Sequence, residues 1–144
     1  MRAWNHNRYG NCATLLTAAI LSAVAGPAAV AKTVYVDGVN GNNDWDGLCE
    51  EWDGGTCGPK KTIQHGITVA VDGDEVIVAD AVYTGEGNTF IQYYGKAITL
   101  RSANGAAGCI IDCEGSEDPA IHIEGVISGT AILDGFTVIN GGAC

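Results

Sequence analysis

Between residues 61 and 83 the chain reads KTIQHGITVAVDGDEVIVADAVY, and its apolar positions change period half-way. Ile63, Ile67, Ala70 and Val71 recur at i, i+4, i+7 and i+8, the spacing of one helical face. Past Asp72-Gly73-Asp74 the pattern alternates. Val76 and Val78 share one face and Glu75, Ile77 and Ala79 the other, which is the period of a strand. The pattern therefore predicts a short amphipathic helix that turns tightly into a strand. Pro59 lies just ahead of this helix, Thr62 is placed to cap its start, and Gly73 is placed to end it in a left-handed conformation. Gly66, Thr68 and Val69 are poor helix formers, so tertiary packing has to hold it.

Downstream the strand pattern repeats. Val76 and Val78 match Ile98 and Leu100 at a step of 22, and Ile121 and Ile123 at a further step of 23. A second set interleaves, with Ile110-Ile111-Asp112 matching Ile132-Leu133-Asp134 at a step of 22. Gly, Asn, Asp and Ser gather between them, at 85–88, 104–108, 115–118 and 125–129. Short strands, polar turns and a period in the low twenties predict a β-solenoid, in which each turn covers the apolar face and the strand edges of the one before. A hairpin meander would want two-residue turns of the Asn-Gly type and no fixed period.

Upstream, Thr33–Val36 is a β-type run, and Val39–Pro59 is a long polar loop without periodicity. Loops of that length are functional or pinned, and Cys49 and Cys57 are spaced to pin this one. Before it, Arg2 and Arg8, an apolar core at Leu15–Ala25, the break at Gly26-Pro27 and the small residues Ala29-Val30-Ala31 form a secretory leader over residues 1–31, cleaved after Ala31. The break leaves too little apolar length for a spanning helix, which needs about 20 residues.

The mature domain, 32–144, would then hold five basic against 17 acidic residues, a formal net charge of −12. That excludes nucleic acid and anionic membrane surfaces as partners, since both reward clustered Lys and Arg. Five of the six cysteines remain, and secretion permits disulfides. Cys109 and Cys113 are expected not to bridge each other, because four residues of strand span about 13 Å and a bridge wants its Cα atoms within about 7 Å. The odd count leaves the pairing of Cys109, Cys113 and Cys144 open.

Tyr35-Val36-Asp37, Thr62-Ile63-Gln64, Gly73–Val78 and Val82-Tyr83-Thr84 resemble the N-terminal cap and first coil of secreted right-handed parallel β-helix proteins, the pectin-lyase-like superfamily. Lys96–Ser102, Ile110–Cys113 and Leu133–Val138 resemble further coils. The resemblance implies an all-β, right-handed parallel β-helix with a short capping helix, cut to about three coils. That scaffold carries lyases, hydrolases, adhesins and proteins without activity, so it implies a fold more than a function. Unlike longer members of the family, the chain stops after a strand with no polar cap. It is therefore expected to be part of a longer protein and to self-associate through that end.

Candidate chemistry is sparse. A lyase on this scaffold would need calcium and a Lys or Arg base. Among Lys32, Lys60, Lys61, Lys96 and Arg101, the last is best placed, outward on its strand with Asp80 and Glu124 as prospective acidic neighbours. A surface ion pair is the plainer use. Asp37, Asn40, Asn42, Asn43, Asp44 and Asp46 carry oxygens of the kind calcium takes, but not in EF-hand order, and such side chains ordinarily cap their own turns. Asp112 and Asp134 look like turn starters with Asn140 in a related role, and His65 and His122 like surface residues. Trp45 and Trp52 would serve to cover the end of the core or to stack on sugars. The expectation is a secreted, periplasmic or cell-surface β-helix module, structural, adhesive or polysaccharide-associated, with no catalytic, cofactor or metal residue assigned. The alternative is the N-terminal piece of a polysaccharide lyase or hydrolase whose site lies elsewhere.

Overall fold

A computed structural model of the protein describes residues 30–125 and 129–142. Residues 1–29, which hold most of the expected leader, and Cys144 lie outside them. The elements are β1 (Thr33–Val36), α1 (Ile63–Val69), β2 (Glu75–Val78), β3 (Ala81–Tyr83), β4 (Ile91–Gln92), β5 (Thr99–Ser102), β6 (Cys109–Asp112), β7 (Ile121–His122), β8 (Ile132–Asp134) and β9 (Thr137–Ile139). Among the described residues no helix is long and apolar enough to cross a membrane.

The strands form three sheets, β1-β2-β5-β8, β3-β6-β9 and β4-β7, and every strand pair within them is parallel. That rules out the hairpin meander. The chain visits the sheets in a fixed order: β2, β3 and β4 fall one in each, β5, β6 and β7 follow in the same order, and β8 and β9 begin it again.

Alternation decides which way each strand faces. β1, β2 and β5 all bury every second residue, so Val34, Val36, Val76, Val78, Leu100 and Ser102 point inward. The five apolar ones join Tyr83, Cys109 and Ile111 from the second sheet and Ile91 from the third in one core, and Ser102 is buried as well. Ser102 is tolerated there because its Oγ accepts the Gly105 N–H at 2.7 Å.

The register corrects the repeat. Val76 lies beside Leu100, 24 residues on, and not beside a residue 22 on. Ile121 lies beside Ile91 in a different sheet, and Ile123 is exposed. Ile110-Ile111-Asp112 pairs with Thr137-Val138-Ile139, while Ile132-Leu133-Asp134 pairs with Thr99-Leu100-Arg101. The loops between strands differ in length, so neighbouring strands do not share one numerical period.

Helix α1 sits where its stripe demands, with Ile63 and Ile67 fully buried and Thr62 capping its start by accepting the His65 N–H. Gly66 allows the close approach: a Cβ there would meet Val36 Cγ2 at 2.5 Å and Val76 Cγ1 at 3.1 Å. The far end departs from expectation. Ala70, in extended conformation, is the C-cap, whereas Gly73, at φ +90°, shapes the following turn. Val71 has left the stripe and is 52 % exposed. The helix end is closed from outside instead: the Lys96 ammonium donates to the carbonyls of Ile67, Thr68 and Ala70 at 2.7, 2.9 and 2.8 Å.

Candidate functional site: a groove beside the long loop

The first sheet carries a row of outward side chains. The register sets Tyr35 beside Ile77, Ile77 beside Arg101 and Arg101 beside Asp134. The loop 37–60 then folds back along the edge of β1. Tyr35 N–H donates to Gly47 O at 2.8 Å, Lys60 N–H to Tyr35 O at 2.8 Å, and Asp37 N–H to Lys60 O at 2.9 Å. The expected Cys49–Cys57 disulfide is present, with Cα atoms 5.3 Å apart, and Cys109 and Cys113 are free thiols buried on the inner face. Burial, with Asp80 adding to it, pushes the Cys109 thiol up to about 12.

Between loop and sheet lies a groove of about 370 Å³. Tyr35 and Ile77 line it from the sheet, and Trp52, Glu50, Glu51 and Asp37 from the loop. Trp52 is 56 % exposed and stacks nearly parallel on Trp45, with centroids 5.4 Å apart and planes 7° apart. Its indole N–H donates to Gly55 O at 2.9 Å. Trp45 packs on Gly58, where a Cβ would run into its ring. Neither tryptophan belongs to the core or to the residues packed against it. They stiffen the loop, which corrects the expectation that they cover the core. No Lys or Arg lines the groove, whereas three carboxylates do.

The oxygen-rich residues of the loop largely serve the loop. Asp37 accepts the N–H groups of Val39 and Asn40 at 2.8 and 2.9 Å and the Asn40 side-chain amide at 3.0 Å. Burial would raise the Asp37 carboxyl, but these hydrogen bonds together with Lys61 bring it below its ordinary value. Asn42 accepts from Asp44 N–H, Asp46 from Leu48 N–H, and Asn43 from the N–H groups of Lys61 and Thr62. Among the described residues no group of three His, Cys, Asp or Glu side chains is arranged to hold a metal ion.

Arg101 faces outward as expected but has different partners. Its Nε donates to Glu75 Oε1 at 2.5 Å and its Nη2 to Oε2 at 3.4 Å. Asp80 instead accepts from Asn104, and Glu124 lies 3.7 Å from His122 Nε2. Donating to the Glu75 carboxylate raises the Arg101 pKa above its ordinary value, and a more firmly protonated guanidinium is a poorer proton abstractor. Asp112 and Asp134 fall on different sheets. Asp112 caps its own turn at Glu114 N–H and accepts from the Asn140 side chain, both at 2.9 Å. His65 is exposed, with Nδ1 2.8 Å from Thr62 Oγ1. His122 is half-buried beside Phe90, and its Nδ1 has no hydrogen-bond partner.

The alternation of β1 and β2 was enough to turn Tyr35 and Ile77 outward. Nothing in the residue pattern of the loop indicated that Glu50, Glu51 and Trp52 would fold back beside them. No family model, curated protein or solved structure matches the chain.

Proposed function

We propose that the protein is an exported parallel β-solenoid module that holds an extracellular polysaccharide in the groove beside its long loop, without cleaving it. The solenoid reading is supported by three all-parallel sheets visited in a fixed order around one core. The pectin-lyase-like resemblance is the family-level form of that reading. The leader pattern and the Cys49–Cys57 disulfide support export.

The groove carries the functional reading: an exposed, pinned tryptophan and a tyrosine flank a trough of about 370 Å³ edged by carboxylates. Flat aromatic faces suit the apolar faces of sugar rings, and carboxylates accept hydrogen bonds from their hydroxyls. Three acids without a basic residue repel uronates, so the ligand is a neutral polysaccharide. Arg101, tied to Glu75, provides no base for a lyase step.

Tryptophan fluorescence titration with soluble neutral glucans, mannans and xylans, and with polygalacturonate, tests this. A saturable change is expected with a neutral polymer and none with the uronate. Trp52→Ala should weaken binding at least about tenfold, equivalent to ~1.4 kcal/mol. Equal binding by the variant, or a response to polygalacturonate alone, would overturn the reading.

A further inference from the structure

The least expected contact in the molecule is at Lys32, close to the start of the described residues. Asp74 is 2 % exposed, yet the side-chain ammonium nearest to it, Lys32 Nζ, stands 3.8 Å from Oδ2 and is itself 41 % exposed. A buried carboxylate needs close compensation. Two backbone N–H groups supply part of it: Val71 donates to Oδ2 at 2.8 Å and Lys32 to Oδ1 at 2.9 Å. Lys32 is also held by its carbonyl, which accepts from Glu75 N–H at 3.0 Å, and by its Nζ, which donates to Val69 O at 3.2 Å. Immediately before it the chain leaves the domain, with Val30 91 % exposed and Ala31 exposed as well. Every core residue lies at or after Val34, so a chain beginning at Lys32 contains the whole core.

The nitrogen that contacts Asp74 is thus the one that cleavage after Ala31 would free. We infer that the Ala31–Lys32 bond is the processing site, and that the released α-ammonium of Lys32 becomes the counter-ion of buried Asp74. Hydrolysis consumes one water. Its oxygen joins the Ala31 carbonyl carbon, which departs with the leader as a carboxylate, and the Lys32 nitrogen leaves as an amine that takes up a proton. A free α-amine has an ordinary pKa of about 7.7–8.0, and a carboxylate within hydrogen-bond reach favours its charged form further. The amide-to-carboxylate bond at 2.9 Å is thereby replaced by one in which donor and acceptor both carry charge. The folded domain then discriminates between processed and unprocessed chains at a single atom.

The inference rests on the export reading, and the two can fail separately. Four chains are compared by thermal melting: one starting at Lys32 with a free α-amine, one keeping Ala31 at its N-terminus, and each of these carrying Asp74→Asn. The first should melt about 4 °C or more above the second, and Asp74→Asn should abolish that difference when both starts are made with it. Equal midpoints for the first two chains, or a difference that survives Asp74→Asn, overturns the inference. If Asp74→Asn does not fold, acylation of the α-amine by an amine-reactive ester decides. The Lys32 amine should react at least tenfold more slowly than the amine of the Ala31-start chain, and equal rates overturn the pairing. Mass analysis of exported protein should place its N-terminus at Lys32. Export with cleavage elsewhere overturns the inference and leaves export standing, whereas failure of export removes the export reading itself.

Discussion

The side of the molecule at β1 and the side at β8 and β9 are finished differently. At β1, the outer edge is covered at Tyr35 and Asp37. The loop 37–60 pairs with Tyr35 and Asp37 through Gly47 and Lys60, and α1 seats Ile63 and Ile67 in the core with Gly66 against Val36 and Val76. At β8 and β9, each strand has one neighbour among the described residues, and Ile132, Leu133, Val138 and Ile139 are 42, 41, 44 and 40 % exposed. A bare strand edge is a pairing surface, and parallel sheets carry such an edge wherever nothing covers it. The covered end is built from side chains and backbone that reach across 20 or more residues of sequence, as Lys60 to Tyr35 and Lys96 to Ile67 do. The comparison sets the fully buried side chains at β1 and α1 against half-exposed ones at β8 and β9.

The sharpest way to break this contrast is a pair of truncations read by urea denaturation. Ile67→Ala opens a cavity under the helix and should cost about 2–5 kcal/mol. Val138→Ala, at the open end, removes a side chain that is already 44 % exposed, so it should cost under ~1 kcal/mol. Comparable losses would mean that the two ends are equally packed.

Next in size is the disulfide. Replacing Cys57 with Ser frees a loop whose ends are eight residues apart and should cost roughly 2–3 kcal/mol in the chain-entropy account. The loss should appear as a lowered denaturation midpoint, accompanied by loss of any polysaccharide response, because Glu50, Glu51 and Trp52 lie within the bridged segment. An unchanged midpoint would show that the hydrogen bonds to Gly47 and Lys60 hold the loop unaided.

The smallest effect concerns acid. The Asp37 carboxyl lies below its ordinary 3.8 in the folded protein, so the unfolded chain binds the proton more readily. Its contribution to stability is complete above 3.8 and is lost as pH falls through the lower folded value. Asp37→Asn should therefore lower stability at pH 7 by under ~1 kcal/mol, the scale of a partly exposed charge interaction. The gap from the parent should narrow below pH 3.8. A gap that is constant down to pH 2 would assign the effect to shape, not to charge.

Thiol chemistry adds a qualitative check on the interior. Cys109 is fully buried and its thiol pKa is pushed up to about 12, so it should resist alkylation at pH 8 in the native protein and react once urea unfolds it. Rapid labelling of native Cys109 would place local opening in β6 and extend the weak end of the molecule inward from β9.

How much of this was legible in the residues follows from the range over which each feature is decided. Local alternation turns Val34, Val36, Val76, Val78 and Leu100 inward and Arg101 outward, because successive side chains on a strand must point to opposite faces. The start of α1 at Thr62 and the Cys49–Cys57 bridge are likewise short-range matters, settled within three and eight residues. Tertiary structure decided what lies beside what. Loops of unequal length absorb residues between strands, so Val76 meets Leu100 and Ile121 meets Ile91 whatever the apparent period. Arg101 takes Glu75 because parallel pairing sets β2 directly alongside β5, a neighbour that spacing along the chain does not identify. Lys96 can close α1, and Glu50 and Trp52 can edge a groove with Tyr35, only after the chain has folded back on itself; short-range propensity cannot encode a contact whose partners become neighbours only in three dimensions.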